Sequence, residues 1–122
     1  MIKNPTIMIN GSAQKYVPNS FSFKTGLGNR TTMTETLGNG NVSMEIVEDV
    51  TTQKGYIKFT VASTRDNVAR YLNFMQNKDA NAIELSGDVE GKFARMTILE
   101  EQEINIGSDA TFDMIFEGTP MI

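Results

Sequence analysis

Histidine, cysteine and tryptophan are all missing from the 122 residues, and each absence closes off a class of function. Without cysteine there is neither a disulfide framework nor a thiolate metal site. Without histidine the chain lacks the commonest general base and the commonest zinc ligand. No apolar run approaches the roughly 18 residues of a membrane span. Residues 1–11 hold Lys3 but no apolar stretch of the kind a secretory leader needs, so the expectation is synthesis and residence in a cytosol, with no membrane partner. Clustered positive charge is also missing: 11 Lys and Arg are scattered among 15 Asp and Glu, for a formal net charge of −4, which argues against holding nucleic acid through its phosphates. What is present, 39% hydrophobic and 21% charged residues, fits one folded domain over residues 1–122 with a modest core.

Turn chemistry punctuates the chain at Asn10-Gly11, Gly26-Leu27-Gly28, Gly38-Asn39-Gly40, Gly87 to Gly91 and Gly107-Ser108-Asp109, with β-favouring residues between. Apolar residues alternate with polar ones at Val42, Met44 and Ile46, at Ile57, Phe59 and Val61, and at Phe112, Met114 and Phe116; these triplets are the expected core faces. Phe21 with Phe23, and Ile83 with Leu85, add shorter alternating runs. Residues 92–118 read as a long two-strand ribbon broken at Gly107-Ser108-Asp109, with acidic residues on both faces. So many single-faced strands predict a mainly β fold, a β-sandwich of two packed, mostly antiparallel sheets.

One stretch departs from period 2. Val68, Tyr71, Leu72 and Met75 recur at helical spacing and predict one flanking α-helix near residues 64–77, with Ser63 and Asp66 as a capping box. Residues 24–41 are rich in Thr, Gly and Asn with few large apolar side chains, which predicts a protruding loop or hairpin fixed against another subunit. Its candidate contact residues are Gly26, Leu27, Arg30, Met33, Glu35 and Leu37.

Chemistry-bearing groupings are sparse. Glu101 and Glu103, two apart on a strand, would share a face at about 7 Å, a separation that suits an inverting glycosidase pair. Such pairs normally come from different strands flanking a cleft, so a solvated acidic face is the better reading, and no catalytic residue is assigned. Asn77, Asp79 and Asn81 have the spacing of calcium-loop oxygens, but Ala82 stands where the turn needs Gly and Asp88 where a bidentate Glu belongs. No metal or cofactor is expected. The sequons at Asn29 and Asn41 read as chance in a Thr- and Asn-rich chain, Gly26-Leu27-Gly28 as a turn, and the 8 Met as adaptable filler of core or interface.

The order of elements is more telling. Strands, then the run EDVTTQKGYIKF from Glu48, a helix after Ser63-Thr64, and the ending GSDATFDMIFEGTP from Gly107 resemble the tail tube proteins of contractile-tailed bacteriophages over about residues 6–120. The resemblance implies a β-sandwich subunit, not an enzyme. Hexameric rings of it would stack into a hollow tube that conducts DNA during ejection without binding it specifically. It also implies sheath, tape measure and baseplate proteins as partners, and the virion as the final location after assembly in a host cytoplasm. An acidic lumen would suit passage of a polyanion, and Glu100, Glu101 and Glu103 are the candidates for lumen or inter-subunit acid. The alternatives are a small monomeric β-sandwich binding module for a sugar or protein, and the tube of a phage-derived contractile injection device.

Overall fold

The computed structural model describes residues 1–28, 30–36, 38, 40, 42–48 and 53–122. Among the described residues, nine strands and one helix follow in the order β1 (Thr6–Ile9), β2 (Ser12–Ala13), β3 (Ser22–Lys24), β4 (Arg30–Thr36), β5 (Val42–Glu48), β6 (Gly55–Ala62), α1 (Arg65–Gln76), β7 (Asn81–Ser86), β8 (Gly91–Thr97) and β9 (Thr111–Gly118). Seven strands form one antiparallel sheet in the order β2-β1-β7-β8-β9-β6-β3, and β4 and β5 form a separate two-stranded sheet. The protein is thus mainly β with one helix, as the sequence implies.

The large sheet is strongly rolled, and the chain itself shows by how much. Gln14 N–H donates to Ile7 O on the outer side of β1, and Val17 N–H donates to Thr60 O on the side of β6 that faces β3. In a flat sheet these two positions would be six strand spacings apart, about 29 Å. The three residue steps from Gln14 to Val17 can span only about 10 Å. The sheet therefore curls until its two edges are bridged by residues 14–17, and its inner face encloses one core. That core contains Ile7, Ile9, Ile57, Phe59, Val61, Ile83, Leu85, Phe93, Met96, Phe112, Met114 and Phe116, joined by Tyr71 and Phe74 of the helix. Phe93 of β8 reaches far enough across to fill the space that a side chain at Gly55 of β6 would occupy.

Strand alternation explains most of this. β6 and β9 pair over their full length, from Gly55 opposite Gly118 to Ala62 opposite Thr111, with every second residue inward. β8 needs a different device. Asn81 faces Met96 whereas Ile83 faces Phe93, so one extra residue is accommodated in β8. This bulge lets Phe93 and Met96, three apart, both point into the core. At the other end, Asn10 and Gly11 both have positive φ, 52° and 84°, the geometry of a two-residue type I′ turn that closes the hairpin of β1 and β2.

The helix is capped one residue later than its sequence implies. Thr64, not Ser63, is the N-cap: its hydroxyl accepts from Asn67 N–H at 3.2 Å, while Asn67 Nδ2 donates back to Ala62 O. Ser63 Oγ is buried without a partner. The inward stripe is also rotated from expectation, because Phe74 is buried and Leu72 is 45% exposed. The cause is aromatic packing on β9: Tyr71 stacks obliquely on Phe112 and Phe74 meets Phe116 edge-on at 5.8 Å. Burying Phe74 contributes about 1.5–3 kcal/mol, as Leu72 would, but its edge-on contact with Phe116 adds about 0.5–1.5 kcal/mol that Leu72 could not make.

Two expectations are corrected by the sheet pairing. Residues 92–118 do not form one long ribbon: β8 and β9 pair only at Met96–Gly118 and Thr97–Glu117, and residues 98–110 leave the ladder altogether. Met44 and Ile46, expected in the core, are 65% and 59% exposed on the separate ribbon. Val42 pairs with Thr36 at the same ribbon's tip.

Candidate assembly surfaces

The ribbon of β4 and β5 holds the first surface. Its register runs unbroken from Arg30 opposite Glu48 to Thr36 opposite Val42. Thr34 pairs with Met44, so Thr34 and Met44, together with Thr36 and Ile46 two residues along, stand on one exposed face. Threonine and β-branched residues favour the extended chain, which is why this segment forms paired strands. Of the contact residues expected from sequence, Arg30, Met33 and Glu35 lie on β4 opposite Glu48, Glu45 and Ser43. Leu37 lies outside the described residues. Leu27 is 44% exposed in the approach to β4. The expected protrusion at 24–41 is thus one strand of a hairpin whose second strand reaches Glu48.

Gly26 has a structural duty at the base of that hairpin. Its φ is +80°, and a Cβ placed there would lie 2.6 Å from the main-chain carbon of Lys54. Only glycine satisfies both conditions where the chain leaves β3 beside the start of β6. Gly26→Ala is expected to cost about 2 kcal/mol or more of stability, read as a lower midpoint in urea.

The second surface is the acidic segment after β8. Glu100, Glu101 and Glu103 are all exposed, flanked by Leu99 at 67% and Ile106 at 88% exposure. They sit on an irregular segment, not on a strand, so the shared-face spacing expected for Glu101 and Glu103 does not arise from a β pleat. The segment is nonetheless fixed. Ile98 and Ile104 pack against the core, Gln102 N–H donates to Tyr71 Oη at 2.7 Å, and Asn105 Nδ2 donates to Thr111 O at 2.9 Å. Beyond Thr97 it stands away from β9, so β9 from Asp113 to Ile115 has no strand partner on that side among the described residues. A cleft of about 260 Å³ remains there, lined by Tyr56, Leu99, Glu100, Gln102, Ile115 and Glu117.

Tyr71 links this segment to the helix, and its titration reports on the link. Burial pushes its pKa above the ordinary 10.0; the hydrogen bond from Gln102 opposes that shift, and the charge of Glu101 adds to it. A raised acid pKa means stability is fully present below the unfolded value and is lost as pH rises through the folded one. Stability should therefore decline above about pH 10. Tyr71→Phe should flatten that alkaline decline, cost about 1 kcal/mol at neutral pH, and speed hydrogen exchange at the Gln102 amide.

Two further polar groupings are internally satisfied. A surface groove of about 460 Å³ is lined by Asp79, Arg95, Lys54 and Glu117 among others, but Arg95 pairs with Asp79 and Lys54 lies 4.0 Å from Glu117. Of the three oxygens with calcium-loop spacing, Asp79 pairs with Arg95 while Asn81 is fully buried. Asn81 Nδ2 shares its two hydrogens among the carbonyls of Phe74, Lys78 and Met96, and its Oδ1 accepts from Asn10 and Asn77. That side chain joins the helix end, the first hairpin and β8. Sequence reading did not find this role, although an Asn two residues before Ile83, in phase with the alternating Ile83 and Leu85, is a usable signal for a buried amide. The chain matches no family model and no curated protein.

Proposed function

We propose that the chain is the structural subunit of a bacteriophage tail tube, in which six copies close into a ring and rings stack into a hollow conduit for DNA. One observation carries the reading: the β4–β5 ribbon forms its own sheet and offers Met44 and Ile46 to water, an apolar face that a solitary monomer leaves uncovered. A neighbouring copy would cover that face. The unpartnered stretch of β9 at Asp113 to Ile115 supports the same reading, since open sheet edges are usually covered or charged. In this account the two halves of the rolled sheet serve as the two layers of a sandwich, and α1 flanks them.

Charge agrees with the proposed duty. A net charge of −4 per subunit, multiplied around a ring, repels the DNA backbone and lets it slide. Glu100, Glu101 and Glu103, held outward by the anchors at Gln102 and Ile104, are the proposed acid of the lumen or of the subunit boundary. Sheath, tape measure and baseplate proteins would be the partners of the finished tube, and the virion its location. Light scattering on the eluting protein, from dilute to concentrated, provides the test. A hexamer-sized species or heavier polymers should grow with concentration; a monomer at every concentration, with binding to a glycan array, would favour the binding-module alternative.

A further inference from the structure

Asn10-Gly11 is a dipeptide prone to spontaneous deamidation, because glycine offers no side chain to hinder attack by its own amide nitrogen. Gly11 N attacks Asn10 Cγ, forming the new C–N bond of a succinimide and expelling ammonia, which carries off the proton lost from Gly11. Water then opens either imide carbonyl to leave aspartate or isoaspartate. One water is consumed, one ammonia is released, and nothing is oxidised or reduced.

The surrounding structure gives this turn a definite response to that chemistry. Asn10 Oδ1 accepts from Ala82 N–H at 2.9 Å, and Asn10 Nδ2 donates to Asn81 Oδ1 at 3.1 Å. Neither amide can be reversed. The Ala82 amide is a donor only, which fixes Asn10; the carbonyls of Phe74, Lys78 and Met96 are acceptors only, which fixes Asn81 with its Oδ1 toward Asn10. Position 10 must therefore present a donor to Asn81, and a carboxylate presents none. Two oxygens would face each other at the distance of the present hydrogen bond, one of them charged. Isoaspartate would also lengthen the backbone of a turn whose two central residues set the pairing of Ile9 with Ser12.

We propose that Asn10 is a modification site of this protein: a deamidation site that the native latch onto Asn81 and Ala82 restrains, and whose conversion to aspartate or isoaspartate unfastens the first hairpin from the end of α1. Reaching Gly11 N requires Asn10 Cγ to leave both hydrogen bonds, so the native fold should slow the reaction about tenfold or more relative to the unfolded chain. Peptide mass spectrometry after incubation in mildly alkaline buffer, with and without urea, measures this. Asn39-Gly40, the same dipeptide elsewhere in the chain, serves in urea as the unrestrained clock.

The consequence is tested with Asn10→Asp, which keeps the shape and the tolerance of positive φ but removes the donor. A carboxyl disfavoured as its anion there has a raised pKa in the folded state, so its penalty is small below about pH 3.9, grows as pH rises through the folded pKa and is fully present above it. The variant should melt about 5 °C or more below the parent at neutral pH and approach it in acid. Equal deamidation of Asn10 in native buffer and in urea would overturn the proposal, as would co-melting of Asn10→Asp with the parent at neutral pH.

Discussion

Asn81→Leu is expected to lower the thermal unfolding midpoint by about 10–15 °C, a large effect for a single side chain that leaves no cavity. Leucine matches asparagine closely in shape, so the loss is one of polarity and not of volume. The amide of Asn81 is the donor for the main-chain carbonyls of Phe74, Lys78 and Met96, and Asn81 itself is fully buried. Removing that donor leaves those acceptors without it, at roughly 1–3 kcal/mol for each one kept from water. It also deprives Asn10 Nδ2 of its acceptor. A total near 3–5 kcal/mol is a large fraction of the stability of a domain of this size. Differential scanning calorimetry checks it; a shift of only a degree or two would mean that water reaches these carbonyls.

The second large effect falls on assembly instead of stability. Met44→Glu combined with Ile46→Glu should leave the monomer's melting temperature within about 2 °C, because both side chains are already exposed. Ring or polymer formation should nevertheless fall by a factor of about 10² to 10⁴. The figure follows from losing two apolar side chains, worth about 1.5–3 kcal/mol each when fully covered, at every subunit boundary. Sedimentation of parent and variant at matched concentration gives the comparison. An unchanged sedimentation profile with an intact fold would remove the ribbon from the interface.

Period-2 alternation made β6 and β9 legible, since Ile57, Phe59, Val61, Phe112, Met114 and Phe116 all turn inward as their spacing predicts. The same pattern at Val42, Met44 and Ile46 identifies a strand equally well, yet Met44 and Ile46 are exposed. Alternation reports that a strand has two unlike faces; it does not report whether the covering partner belongs to the same chain. β8 was harder, because its bulge spaces Phe93 and Met96 by three and breaks the period. Residues 98–106 resemble a strand through Ile98, Ile104 and Ile106, but Gln102 spends its amide on the Tyr71 hydroxyl and not on a neighbouring strand. A hydrogen bond between residues so far apart in sequence leaves no local signature. The helix was legible, while its cap and inward stripe were displaced by the choice of Thr64 over Ser63 and of Phe74 over Leu72.

The most direct test of the proposed function is an electron micrograph of the concentrated protein with averaging of end-on views. Six-fold rings with an open centre, stacking into tubes, are the predicted result. Particles no larger than one 122-residue domain at every concentration, with or without a tail-assembly partner, would contradict it.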